Sequence, residues 1–196
     1  RLQKATINEL DWLEAIRLGI DNHGLHFSHR ILCAFHTALK IAEWSPLTVL
    51  AGVSGTGKSE LPKLYSRFGG INFISVPVQP NWDSQESMLG YFNSISNSYE
   101  AQPMLNFLVQ SREKLVKGSD NPEDNYNGLD DTVSLVLLDE MNLAHVELYF
   151  ADFLSKLEQR RGAKSSELPY IDINLGSDIP PYKLSLGRNL LFAGTM

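Results

Sequence analysis

Gly52-Val53-Ser54-Gly55-Thr56-Gly57-Lys58-Ser59 fits the pattern G-x-x-x-x-G-K-[ST] at every fixed position. It follows directly on the apolar run Leu47-Thr48-Val49-Leu50-Ala51, which reads as a buried strand. The loop therefore falls where a strand gives way to a helix. Glycines at 52, 55 and 57 allow a sharp turn that aims several backbone N–H groups inward, and the next helix adds its positive N-terminal end. A polyanion fits such a cradle. Lys58 would reach the β- and γ-phosphates of a nucleotide, the Ser59 hydroxyl would ligate Mg²⁺, and Glu60 closes the set of phosphate-binding positions that begins at Gly52. The plainer reading is a Gly-rich turn that happens to carry a lysine; the strand in front of it favours the cradle.

Downstream, Val133-Ser134-Leu135-Val136-Leu137-Leu138 has apolar residues at nearly every position, as strands do in parallel sheets covered on both faces. It ends in Asp139-Glu140. Parallel α/β sheets bind ligands at the carboxyl ends of their strands, so this pair should share an edge with the loop after Ala51. Asp139 would then hold Mg²⁺, and Glu140 would orient and deprotonate an attacking water. A solvated, helix-capping pair is the alternative. Asn142 and His145 are either neighbours of the metal site or ordinary polar residues at a helix start.

The remaining chain reads as an α/β alternation. A capping box at Thr6-Ile7-Asn8-Glu9 opens a first helix, and Ser28 caps a second, which Pro46 stops. A helix is expected from Gly57 to Phe68, kinked by Pro62, then a strand over residues 71–78 whose Pro77 marks an end or an edge. Asp83 or Ser84 should cap a helix carrying residues 87–92, and another should span Met104 to Val116. Residues 117–131, rich in Gly, Asn, Asp and Pro, form a loop. One helix from Val146 to Arg161, closed by Gly162, precedes a hairpin of residues 169–175 and 182–186 and a last apolar strand over 189–194.

Composition sets the bounds. The 196 residues suffice for one sizeable domain, and an apolar fraction of 43% with 20% charged residues is that of an ordinary globular protein. A net charge of −6 gives no electrostatic footprint for holding nucleic acid by its phosphates. Cys33 alone forms no internal disulfide and should pack as a small hydrophobe, which predicts a reducing, cytoplasmic setting. No apolar run is long enough to span a membrane. His23, His26, His29 and His36 crowd one region but lack metal-ligand spacing. The chain opens on Arg1, and is expected to be a piece of a longer protein.

With both halves of the site in view, the chain resembles the AAA+ ATPases, in the branch that holds the McrB-type restriction GTPases, the MoxR-type chaperones and the dynein-related proteins. The residues that carry the likeness are Gly52 to Ser59, the run Leu137-Leu138-Asp139-Glu140-Met141-Asn142-Leu143-Ala144, and the hairpin between 169 and 186, which is similar to the pre-sensor insertion of that branch. Gln79-Pro80-Asn81-Trp82 and Leu89-Gly90-Tyr91 look closest to the McrB-type group. The likeness covers residues 27–196 as a partial nucleotide-binding core, with 1–26 as a helical extension.

The resemblance implies a three-layer P-loop fold with a mainly parallel sheet in strand order 1-4-3-2, N-terminal helices and a hairpin insertion. It implies Mg²⁺-dependent hydrolysis of ATP or GTP, with Lys58 and Glu140 catalytic, Ser59 and Asp139 on the metal, and a hexameric ring as the working assembly. A McrC-like nuclease partner, with DNA held by other domains, belongs to the McrB-type reading. A MoxR-like chaperone that remodels a protein and a nucleotide-gated scaffold with little turnover are the alternatives. The same resemblance puts the polar sensor residue, the fifth strand, the arginine finger and the helical lid beyond Met196, so this segment alone should turn over slowly. It also sets His145 where such proteins often carry Arg. Arg160, Arg161 and Arg188 read as exposed arginines without partners, or as contacts across a subunit interface.

Overall fold

The computed structural model describes residues 7–114, 128–164, 167–176 and 179–196. The chain begins with two helices, α1 (Glu9–Asn22) and α2 (His29–Lys40), followed by β1 (Leu47–Leu50) and α3 (Glu60–Gly69). Next come β2 (Asn72–Pro77), the short α4 (Gln85–Leu89), a hairpin of β3 (Gly90–Asn93) and β4 (Ser98–Ala101), and α5 (Pro103–Gln110). Farther along the chain, β5 (Ser134–Asp139) runs into a 3₁₀ turn at Met141–Leu143, then α6 (Val146–Tyr149) and α7 (Ala151–Glu158). A second hairpin, β6 (Tyr170–Ile173) with β7 (Tyr182–Ser185), leads to β8 (Leu190–Thr195).

Four of these strands build one parallel sheet in the order β1-β8-β5-β2. Counting only those four along the chain, the order is first, fourth, third, second, as the resemblance implied. Alternation along the strands divides the core in two. Leu135, Leu137 and Ala193 face α1, α2 and α3; Val136, Leu138, Leu190 and Phe192 face α4 to α7 and the second hairpin. The protein is thus an α/β fold with a parallel sheet flanked by helices. The four residues Leu135 to Leu138 are all 0% exposed, which explains why β5 is unbroken by polar residues. Each such burial stabilises by roughly 1.5–3 kcal/mol. Pro77 ends β2, which is an edge strand.

Helix α1 is part of this core. Ile16 and Ile20 are buried with Leu64 and Tyr65 of α3, and the Trp12 indole N–H donates to Gly69 O at 3.2 Å. Its cap is Asn8, whose Oδ1 accepts from the N–H groups of Leu10 and Asp11 at 3.0 and 3.4 Å. The expected capping box is corrected: Glu9 instead bonds Lys40 Nζ (2.8 Å) and His36 Nε2 (2.7 Å), and Thr6 lies outside the described residues.

Other boundaries also shift. Helix α3 starts at Glu60, which brings Pro62 into the first turn, where a missing N–H costs nothing and no kink follows. The helix expected through Phe92 stops at Leu89, and the next residues form β3. Helix α5 ends at Gln110, with residues 115–127 of the expected helix end and loop outside the described residues. The single helix expected over 146–161 is two, bent at Phe150 (φ −122°, ψ −11°) and ended at Glu158. Phe150 is wholly buried and stacks on Phe153 at 5.3 Å, with Phe192 at 6.1 Å, so tertiary packing sets the bend. The second hairpin pairs Tyr170 with Ser185 through Ile173 with Tyr182; residues 177–178 of its connection lie outside the described residues.

Candidate functional site

β1 and β5 run parallel in one sheet, so the Gly52–Ser59 loop and Asp139-Glu140 emerge from the same edge. Two backbone bonds pin the root of the loop to β8: Met196 N–H donates to Leu50 O (3.1 Å), and Gly52 N–H donates to Met196 O (3.2 Å). Gly55 and Gly57 adopt φ of +81° and +83°, a region where a Cβ is disfavoured. A Cβ on Gly57 would also press on the Phe27 ring at 3.1 Å. Inside the loop, Lys58 Nζ donates to the carbonyls of Gly52 (2.8 Å) and Val53 (2.9 Å), and Thr56 Oγ1 donates to Val53 O (2.9 Å). The ammonium thus folds back over the mouth of the turn.

Ser59 occupies the N-cap position of α3 without capping it. Its hydroxyl donates to Asp139 Oδ1 at 2.6 Å, across 80 residues of sequence. The same Oδ1 accepts from Thr195 Oγ1 at 2.7 Å, and Thr195 Oγ1 accepts the Glu140 N–H at 2.8 Å. The ends of two strands, β5 and β8, and the start of α3 therefore meet at a single carboxylate oxygen. Glu140 is exposed and left-handed, at φ 54° and ψ 50°.

A hydroxyl and a carboxylate at hydrogen-bond distance form a hard oxygen donor pair of the kind Mg²⁺ accepts alongside phosphate oxygens and water. Among the described residues, no three His, Cys, Asp or Glu side chains cluster as a ready-made metal cage. Two cavities, one of about 560 Å³ between β2, α4 and the start of α5 and one of about 580 Å³ between α4, the β3–β4 hairpin and residues 172–174, have no residue of the loop in their lining. The residues with the chemistry stand on an open surface, and the chemistry rather than the cavity volume marks the site.

The structure joins Ser59, Asp139 and, through its backbone, Glu140. Asn142 and His145 are exposed, and His145 Nδ1 faces Glu147 at 3.6 Å rather than the Asp139 cluster. The Glu60 carboxylate pairs with Lys63 at 2.8 Å on the flank of α3.

Of the three arginines read as exposed and unpartnered, Arg160 is corrected on both counts, while Arg161 and Arg188 are exposed as expected but have partners. Arg160 is 2% exposed and donates to the carbonyls of Gly187 and Leu190, both at 2.8 Å; burial pushes its pKa down to about 10. Arg161 stacks on Trp44 at 3.8 Å, and Arg188 pairs with Glu43 at 3.1 Å. A long cationic side chain near a helix end gives no sequence sign of whether it turns inward.

Sequence reasoning missed Thr195 and Tyr149. Tyr149 Oη donates to Met141 O at 2.9 Å, and burial raises its phenol to about 12. A hydroxyl closing an otherwise apolar strand, level with Asp139-Glu140, was the available signal for Thr195. Comparison with protein-family models and with curated proteins returns no match. Among the described residues, no helix is long and apolar enough to cross a membrane.

Proposed function

We propose that the chain binds ATP or GTP with Mg²⁺ on the loop from Gly52 to Glu60, and hydrolyses it as the AAA+-type module of an oligomeric ring, hexameric by resemblance. The observation that carries this reading is the 2.6 Å hydrogen bond from Ser59 Oγ to Asp139 Oδ1, which unites the two motifs. A Gly-rich turn of no consequence gives no reason for a helix-start serine to forgo capping for a distant carboxylate.

In this reading Lys58 leaves the Gly52 and Val53 carbonyls for the phosphates, and the N–H groups of the loop and of the first turn of α3 line the cradle. Ser59 and Asp139 would hold Mg²⁺, which when bound offsets charge on the β- and γ-phosphates. Glu140, exposed beside them, accepts the proton of the attacking water. The McrB-type motor of a restriction system, with a McrC-like nuclease partner and DNA held by other domains, is the setting the sequence resemblance supports.

The test is turnover of ATP and GTP by the full-length protein beside its Lys58→Ala and Glu140→Gln variants. Lys58→Ala should lose nucleotide binding, and Glu140→Gln should bind but turn over at least about 10²-fold more slowly. If both variants hydrolyse either nucleotide at the wild-type rate, the reading is wrong.

A further inference from the structure

Thr195, the last residue of β8, is fully buried, and its hydroxyl sits between the two members of the carboxylate pair. It donates to Asp139 Oδ1 at 2.7 Å and accepts the Glu140 N–H at 2.8 Å. A hydroxyl has one proton and two lone pairs, so both bonds form at once and each fixes the direction of the other. Glu140 stands in the left-handed region (φ 54°, ψ 50°), which a residue with a Cβ keeps only where its surroundings hold it. Three contacts hold this turn. Thr195 takes the Glu140 N–H, Tyr149 Oη bonds the carbonyl of Met141 at 2.9 Å, and the Met141 thioether lies against Gly194, where any Cβ would collide with it.

We infer that Thr195 is a positioning residue for Glu140: its hydroxyl locks the left-handed turn from which the Glu140 side chain leaves the end of β5. The inference rests on the nucleotide-hydrolysis reading of the site. Without the hydroxyl, the Glu140 N–H loses its acceptor and the turn relaxes toward ordinary backbone angles, swinging the carboxylate away. Asp139 Oδ1 loses one of its two donors with the hydroxyl but keeps the other, Ser59, and the loop from Gly52 to Lys58 makes no hydrogen bond to Thr195, so the phosphate cradle keeps its own contacts. Loss of the hydroxyl should therefore separate chemistry from binding, because a misplaced group costs rate while ground-state contacts persist.

The experiment uses the full-length protein with Thr195→Val, which keeps the shape and removes the hydroxyl, and Thr195→Ser, which keeps the hydroxyl. Three quantities are read: affinity for a fluorescent ATP or GTP analogue, kcat, and hydrogen–deuterium exchange across residues 136–143 without nucleotide. Thr195→Val should bind within about threefold of wild type, lose about 10²-fold in kcat, and lose protection at the Glu140 amide. Thr195→Ser should restore kcat and protection. If Thr195→Val does not fold, Thr195→Cys, with its weaker donor and acceptor, is read the same way.

The inference is overturned if kcat is unchanged in Thr195→Val, if affinity and kcat fall together, or if Thr195→Ser fails to restore turnover. Lys58→Ala separates the two levels. If it leaves binding intact, the nucleotide reading falls and the inference falls with it; if it abolishes binding while Thr195→Val turns over normally, only the role of Thr195 falls.

Discussion

The Ser59 hydroxyl and the Asp139 carboxylate, 80 residues apart in sequence, share a hydrogen bond of 2.6 Å at the carboxyl edge of the sheet. The bond exists because β1 and β5 run parallel with β8 between them, so that the loop after β1 and the end of β5 face each other across one strand. Every functional expectation for the chain passes through this pairing.

Removing the Glu140 charge while keeping its size separates proton acceptance from binding. Glu140→Gln should retain nucleotide affinity and reduce kcat by about 10²–10⁴-fold, measured as phosphate release at saturating nucleotide. A Glu140→Gln protein as active as wild type would remove Glu140 from the chemistry.

Arg160 is structural. Its guanidinium satisfies the carbonyls of Gly187 and Leu190, and among the described residues it is one of the largest side chains fully buried. Arg160→Met fills the space but leaves those carbonyls without this donor, and should cost about 2–4 kcal/mol in urea unfolding. Nucleotide affinity, measured where the variant is folded, should not change, because the residue lies near the amino end of β8, opposite the loop.

Gly90 begins β3 at φ +115°, and a Cβ there would strike the backbone carbonyl of Glu100. Backbone cannot swing aside as a side chain can. Gly90→Ala should destabilise the hairpin by about 2–4 kcal/mol and raise hydrogen exchange across residues 90–101. Exchange unchanged from wild type would show that the close approach is not obligatory.

Glu9 links α1 to α2 through Lys40 and His36, and those hydrogen bonds hold its carboxyl below the ordinary value of 4.5, Lys40 most strongly. A depressed carboxylate contributes stability that is complete above the unfolded value and is lost as pH falls through the folded one. Glu9→Gln should therefore be less stable than wild type at pH 7, with the two urea midpoints converging below pH 4.5. Parallel midpoints across that range would contradict the role of the carboxylate.

Much of this architecture is legible in the residues. Apolar runs announce the four parallel strands, and the glycines with Lys58 and Ser59 announce the loop. Asp139-Glu140 at the end of the most continuous apolar run points to the second half of the site. Alternation in Tyr170-Ile171-Asp172-Ile173 and Tyr182-Lys183-Leu184-Ser185 gives the second hairpin. The first hairpin was not legible in the same way. Its strands are four residues each, and Asn97, at φ 50°, turns the chain between them without a glycine. The bend at Phe150 is invisible because Val146, Phe150, Phe153 and Leu157 keep helical spacing through it. Thr195 escaped because its importance lies in two partners on another strand, and Arg160 because burial of a cation depends on carbonyls supplied by the chain 27 and 30 residues later.

Equilibrium binding of Mg²⁺-ATP and Mg²⁺-GTP to the full-length protein, compared with Lys58→Ala and Ser59→Ala, tests the central claim most directly. Wild type should bind at least one of the two nucleotides, Lys58→Ala should bind neither measurably, and Ser59→Ala should lose the Mg²⁺ dependence of binding. Wild-type affinity in both variants, or no nucleotide binding by the wild-type protein, would contradict the account.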